Sequence, residues 1–483
     1  MSLAIKIKHS GKVYDINVDL ESTGIKLKEE IFKLTNVPTD RQKILVRGGP
    51  LKDDAILSSL SLRENQVIMM LGTPLSEVIT KDENDDKIID NDNEIINTNL
   101  IGLPSGLTNL GNTCYLNSSI QLLNTIEELK DDVKKNNDKN NVLVNNMKEL
   151  FNKLDNSKGE KITPLNFLSS VRDAFPQFQE RSREGFYKQQ DAEESYSQIL
   201  RVLIEKFPDL EKYFKIEMKS ETKCLESNDA EDDSDVKYDI EDSMKLNCHI
   251  NGQINFLIDG LKNGLKEKIE KNNERLGRNA QYEINRKITE LPKYLTINFV
   301  RFYWKRESGK KAKIMRKVQF PFELDVMELI DESKREKLIQ SREEIYKVEK
   351  EIEEEFRTLK KIKLGEGLTT REQYNKQIED MKKIEIKSKE KFEELKKKIG
   401  GYKEGSNLSS LYELIGVIAH QGASADSGHY QAFIKDDKDL SGDRWYKFND
   451  DIVTIVDKEK IRSLSGGSEG DSALVLLYKG VGM

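Results

Sequence analysis

Gly111-Asn112-Thr113-Cys114-Tyr115-Leu116-Asn117-Ser118-Ser119 puts a single cysteine at a polar turn that opens an apolar helical pattern. Leu116, Ile120 and Leu123 recur at i, i+4 and i+7, with Leu122 and Ile126 widening the stripe, so Cys114 is predicted to fall in a first helical turn. The partial positive charge and free N–H groups of a helix N-terminus lower a thiol's pKa, and the thiolate is the nucleophile. Such a nucleophile needs a base. Of the four histidines, His429 is the best candidate: it follows Gly428 at the head of a strand-like alternation that runs through Gln431 and Phe433. A polar turn over Asp436 to Asp443 leads to a second strand-like run, Trp445 to Asp451. A hairpin of that kind returns Asn449 or Asp450 to His429, supplying the third group that orients an imidazole and fixes its tautomer.

Taken together, Thr108 to Asn117, the box Gln189-Gln190-Asp191-Ala192-Glu193-Glu194, Gly428-His429-Tyr430 and Trp445-Tyr446-Lys447-Phe448-Asn449-Asp450 resemble the successive signature boxes of the ubiquitin-specific proteases, in the family's order. With the N-terminal region described below, the resemblance is greatest to proteasome-associated members that carry a ubiquitin-like domain, and it runs from about residue 3 to 479. It implies Cys114 as nucleophile, His429 as general base, Asn449 as orienting residue with Asp450 as the alternative, and Asn109 as an oxyanion donor. It also implies Gln190, Asp191 and Tyr430 as contacts for the extended C-terminal tail of ubiquitin. The chemistry agrees: a thiolate attacking an amide carbonyl creates an oxyanion, to which the Asn109 amide and the Cys114 N–H can donate.

The elements that must position these groups divide the chain in three. Residues 1–72 form the first unit. Leu3 to Lys8 and Val13 to Val18 read as a hairpin, Ile25 to Leu34 as a helix, and Gln42 to Gly49 and Asn65 to Leu71 as further strands, the order of a ubiquitin-like β-grasp. Leu45 and Met70 are expected on an exposed apolar face that docks a partner, which the resemblance identifies as the regulatory particle of the 26S proteasome. Residues 73–101, rich in Asp, Asn and Glu, read as a flexible acidic linker.

Residues 102–483 are expected to form a papain-like catalytic domain with fingers, palm and thumb, giving an α+β class for the whole. Lys134 to Asn146 and Glu226 to Ser243 read as solvated mobile loops inside it. Strands are expected at Leu295 to Phe302 and Ile314 to Phe322. Residues 331–400 interrupt the domain as a helical hairpin, with Leu338, Ile345, Ile352 and Leu359 spaced by seven and Thr370/Gln373 as a capping box. Gln421 to Gly428 is small enough in side chain to be a mobile gate over the cleft.

Composition narrows the classes. A net charge of −7 without a basic stripe argues against nucleic acid, and no apolar run reaches the length of a membrane span. The three cysteines, Cys114, Cys224 and Cys248, show no paired spacing, and a structural zinc site needs four ligands, so neither metal nor other cofactor is expected. The expectation is a soluble monomer of the cytoplasm and nucleus that acts on ubiquitin and ubiquitinated proteins. The alternative from another class is a non-catalytic ubiquitin-binding adaptor.

Overall fold

The chain is described from a computed structural model, over residues 2–482 apart from 10–11, 36–38, 40–41, 47–48, 61, 65, 72–86, 90–94, 98–101, 139, 158, 227–235, 306–309, 362–369, 401–402, 425–426, 440–441 and 468–469. It divides into two compact units, residues 1–97 and 98–483.

In the first unit, β1 (Ser2–His9) and β2 (Lys12–Asp19) form an antiparallel hairpin. Helix α1 (Gly24–Thr35), β3 (Lys43–Val46), β4 (Gly49–Pro50) and β5 (Val67–Leu71) follow, in the sheet order β2-β1-β5-β3-β4 with β5 parallel to β1. The alternating residues Ile5, Ile7, Ile16 and Val18 meet Leu27 and Ile31 of α1 in a single core. Met70 is part of that core at 2 % exposure, which corrects its placement on a docking face. The register explains the error: Ile44 lies opposite Met70 and Leu45 opposite Met69, so Met70 shares the inward face with Ile44. A one-residue slip in a strand exchanges the two faces. The side chain of Leu45 is outside the described residues. Within the stretch read as a structureless linker, β6 (Lys87–Ile89) and β7 (Ile95–Asn97) pair as a small antiparallel ladder, since each holds a β-branched pair, Ile88-Ile89 and Ile95-Ile96.

The second unit opens with helices α2 (Cys114–Leu123), α3 (Glu127–Lys135), α4 (Val142–Asn156), α5 (Leu165–Ala174) and α6 (Ala192–Lys206), packed through Leu116, Ile120, Leu129, Val144, Phe151, Tyr196 and their neighbours. The Lys/Asn run is therefore largely helical, because Leu143, Val144 and Met147 form a buried stripe and Asn141 caps α4 by accepting from Val144 N at 3.1 Å. A four-stranded sheet in the order β11-β12-β8-β9 is built from β8 (Ile216–Cys224), β9 (Lys237–Ser243), β11 (Lys266–Asn273) and β12 (Arg278–Glu290). The end of the acidic run thus pairs with β8 as a strand, while 227–235 lie outside the described residues. Cys224 packs with Ala280 and Tyr282 of this sheet, and Cys248, on β10 (Leu246–His249), packs in the separate core of the larger one.

That larger sheet has ten strands, with the main path β10-β13-β21-β17-β18-β19-β20. Its other members are β13 (Tyr294–Val300), β14 (Phe302–Lys305), β15 (Lys310–Lys313), β16 (Glu323–Asp325), β17 (Leu411–Ser424), β18 (Ser427–Lys435), β19 (Trp445–Asn449), β20 (Ile452–Val456) and β21 (Ser472–Gly480). The strand expected at Ile314 to Phe322 does not form. The buried Arg301 guanidinium collects the carbonyls of Ile314, Arg316 and Ser465, and Val318 and Gln319 donate instead to the loop residues Ser465 and Asn255. Backbone groups committed in this way cannot complete a ladder. Helices α7 (Leu257–Gly264), α8 (Glu332–Lys361), α9 (Thr370–Ile399) and α10 (Lys458–Ser463) complete the unit. α8 and α9 form the helical hairpin, with Leu338, Ile345, Met381 and Leu395 buried; the side chains of Leu359, Ile378 and the capping box are outside the description.

Candidate active site

Three backbone segments converge on Cys114. The first is the loop 105–113, whose chain lies directly on the β19–β20 turn: Leu107 N donates to Asp450 O at 2.9 Å, and a Cβ on Gly106 would stand 2.6 Å from the same oxygen. Only glycine permits that approach. The loop is then folded by Asn109, whose Oδ1 accepts from Gly111 N at 2.9 Å and Thr113 N at 3.2 Å. The second segment is α2 itself, which starts at Cys114 as the spacing predicted. All ten of its residues are buried, so it is a core helix and not an amphipathic surface one. The third is β18, paired to β17 on one side and β19 on the other.

The β18–β19 hairpin brings the predicted partners together. His429 Nε2 lies 2.5 Å from Asn449 Oδ1 and 3.8 Å from Asp450 Oδ2. Asn449 is therefore the residue in hydrogen-bond contact with the ring, and its carbonyl oxygen, which can only accept, pairs with a protonated Nε2 and leaves Nδ1 able to accept a proton. Asp450, at φ +53°, makes other bonds: Asn109 Nδ2 donates to Oδ2 at 2.9 Å and Asn117 Nδ2 to Oδ1 at 2.8 Å. Asn117 stands one turn after Cys114 and also donates to Leu107 O at 3.1 Å. It clamps the helix of Cys114 to the loop and to the turn beside His429. Sequence reasoning did not single it out; its position three residues after a cysteine in a helical pattern is the available signal.

Cys114 is 3 % exposed, and this reverses the pKa expected from its place at a helix start. Burial pushes the thiol up to about 11, the Asp450 carboxylate adds to the rise, and the Tyr430 N–H, 3.5 Å from Sγ, opposes both. Desolvation of the charged form outweighs the helix dipole here.

Tyr430 offers the site its backbone N–H; its side chain, expected to face substrate, is 1 % exposed and packs 4.7 Å from the His420 ring. Strand alternation accounts for that, since with His429 on the cleft side its neighbour points inward. Gln190 and Asp191 lie where α6 begins. Asp191 caps the helix by accepting from Glu193 N at 2.8 Å, and Gln190 Nε2 is buried with no hydrogen-bond partner among the described residues. Gln189, not singled out from sequence, reaches Cys114 Sγ at 3.8 Å through Nε2. The stretch read as a gate is largely a continuation of the β17–β18 hairpin, with Ser424 opposite Ser427 and a register shift after Gln421; residues 425–426 lie outside the described ones. Among the described residues no group of three or more His, Cys, Asp or Glu side chains is arranged to hold a metal ion.

Residues 105–478 match the family model described as ubiquitin carboxyl-terminal hydrolase, and residues 5–75 that of the ubiquitin family. The chain is 39 % identical to ubiquitin carboxyl-terminal hydrolase 6 of Schizosaccharomyces pombe, covering 99 % of both chains. It is 34 % identical to ubiquitin carboxyl-terminal hydrolase 7 of Arabidopsis thaliana over 99 % of this chain and 98 % of that one. It is 33 % identical to ubiquitin carboxyl-terminal hydrolase 14 of Caenorhabditis elegans over 98 % and 93 %.

Proposed function

The chain belongs to the ubiquitin carboxyl-terminal hydrolase family and is a cysteine deubiquitinase; from that premise we propose that it hydrolyses the isopeptide bond at the C-terminal glycine of ubiquitin through Cys114, His429 and Asn449 while tethered to the proteasome by its first domain. The observation that carries the catalytic part is the 2.5 Å contact between His429 Nε2 and Asn449 Oδ1, on a strand whose next residue bonds the Cys114 sulfur. His429 Nδ1 takes the thiol proton as ubiquitin's tail enters, and the sulfur attacks the glycine carbonyl. The proton then passes to the departing lysine amine, leaving a thioester. Water, deprotonated by His429, cleaves it and returns the thiol. Asn109 donates to the oxyanion with the Nδ2 hydrogen it does not give to Asp450. Gln190, with its unpaired buried amide, receives the tail.

An electrophilic probe built on the ubiquitin C-terminus tests this reading. It is expected to label the full chain once, at Cys114, as read by peptide mass spectrometry. A chain that binds ubiquitin but takes no label is the adaptor instead.

The tether rests on the ubiquitin-like unit, in which Leu45 lies in the strand register opposite Met69. Deleting residues 1–72 is expected to leave probe labelling near the full-length rate, because the active-site bonds described lie within residues 98–483. Attachment to proteasomes, measured by co-purification, should weaken by about 100-fold or more, since a docked module holds its partner at something like millimolar effective concentration. A charged residue at Leu45 should cause much of the same loss. Equal recovery of truncated and full-length protein would move the contact to the catalytic domain. Residence in the cytoplasm and nucleus, where proteasomes work, belongs to the same proposal.

A further inference from the structure

The sulfur of Cys114 accepts from two N–H donors on different elements, Tyr430 N at 3.5 Å and Gln189 Nε2 at 3.8 Å. The second comes from the segment that also carries Gln190, and that segment is fixed at both ends. Two residues before Gln189, the Tyr187 ring lies 3.6 Å from the Arg172 guanidinium and 4.2 Å from that of Arg181, which also donates to its hydroxyl at 2.7 Å. The Tyr187 carbonyl accepts from Asn112 Nδ2 at 2.9 Å, tying the segment to the turn before Cys114. Two residues after Gln189, Asp191 is held as the cap of α6. An amide suspended between such anchors needs little reorganisation to keep its donor on the sulfur.

Asn109 is engaged differently. Its oxygen takes the N–H groups of its own loop and one Nδ2 hydrogen goes to Asp450. Among the described residues, Gln189 is the side chain with a hydrogen-bond donor on the nucleophile.

We propose, building on the assignment of Cys114 as nucleophile, that Gln189 is a further catalytic residue, whose amide stabilises the Cys114 thiolate as it forms before attack and again as it departs from the thioester. A thiolate is a far better acceptor than a thiol, so a donor fixed on the sulfur favours the charged form selectively. The need is evident in the surroundings: burial and the Asp450 carboxylate both disfavour the thiolate, the backbone N–H groups of Tyr430, Tyr115 and Cys114 oppose them, and the Gln189 amide stands at the sulfur beside these. No atoms are exchanged in this role. The amide keeps both hydrogens while the thiol proton goes to His429. The titratable groups around the sulfur are His429 on β18, Asp450 in the β19–β20 turn and Tyr115 on α2, so any titration of Cys114 is read against the unaltered protein in the same buffers.

The test uses Gln189→Ala and Gln189→Glu in the full chain, with three measurements. These are the pH dependence of Cys114 alkylation by iodoacetamide, resolved by peptide mass spectrometry; kcat and KM on a ubiquitin–reporter amide; and ubiquitin affinity with Cys114→Ala in the background. Gln189→Ala is expected to move the alkylation midpoint upward by about one pH unit and to lower kcat by about 10- to 100-fold, the cost of one hydrogen bond to a charged group, with affinity unchanged within about threefold. Gln189→Glu, which adds a like charge, should move the midpoint further. An unshifted midpoint in both variants overturns the proposal, whether affinity falls, which would make Gln189 a tail contact only, or nothing changes. Turnover by Cys114→Ala itself would instead overturn the assignment of the nucleophile.

Discussion

Cys114→Ala is expected to remove hydrolysis of a ubiquitin–reporter amide by about a millionfold, down to the background set by binding and the oxyanion donors alone. The size follows from the chemistry. Without sulfur there is no thioester, and His429 has no proton to take at the start of the cycle. The remaining site is left intact: Asn449 still holds His429, Asp450 still holds Asn109 and Asn117, and Gln190 is untouched. The fold should lose little. One sulfur leaves a buried position, and the Tyr430 N–H loses its acceptor, a cost of about 1–3 kcal/mol. Ubiquitin affinity, measured by calorimetry on the variant, should stay within severalfold of the parent. Substantial turnover would place the nucleophile elsewhere, and neither Cys224 nor Cys248 is placed to take over, since each is buried in a separate core away from the His429–Asn449 pair.

The sequence pointed to Cys114, to His429 and to Asn449 or Asp450 as candidates because each stands in a local pattern that type and spacing specify: a helix start, a strand head, a hairpin return. It disclosed little of what depends on distant packing. Amphipathic periodicity around Cys114 predicted the helix, but not that Asn117, Ser118, Ser119 and Gln121 are buried with it, and that total burial decides the thiol's protonation. Met70 was misplaced by one register step, which in a run of apolar residues, Val67 to Leu71, alternation cannot resolve. The failure at Ile314 to Phe322 has a similar origin, because a β-branched and aromatic run resembles a strand wherever its backbone bonds go, and here the buried Arg301, between β13 and β14, claims them. Gln189 was legible only as part of a box; its contact with sulfur arises from the anchoring of Tyr187 by residues up to 75 positions away.

The second large effect separates Asn449 from Asp450, which adjacency in sequence left as alternatives. Asn449→Ala is expected to lower kcat by about 1,000- to 10,000-fold with a much smaller change in KM, because the lost contact holds the imidazole in the tautomer that can act as base and supports the imidazolium formed in the transition state. Asp450→Ala should behave differently. At 3.8 Å it is too far to orient the ring, but its carboxylate accepts from two asparagine amides that fix the oxyanion loop and the nucleophile's helix. Removing it frees Asn109 to move, leaves the buried Asn117 amide to the more distant Leu107 and Thr108 carbonyls, and places alanine at φ +53°, a conformation aspartate tolerates better. Three consequences follow for Asp450→Ala: a loss in kcat/KM of about 100- to 1,000-fold, as for one oxyanion donor; a lower melting temperature, which Asn449→Ala should not show; and a Cys114 thiol easier to ionise, since a nearby negative charge is gone. That last change sets the two roles apart. An orienting residue acts through the base and leaves the alkylation midpoint of Cys114 where it was, whereas losing the Asp450 carboxylate moves it downward even as turnover falls. If instead Asn449→Ala proves nearly silent and Asp450→Ala costs the larger factor in kcat with an unmoved midpoint, the ring is held by Asp450 during the reaction and the 2.5 Å contact belongs to the resting enzyme alone.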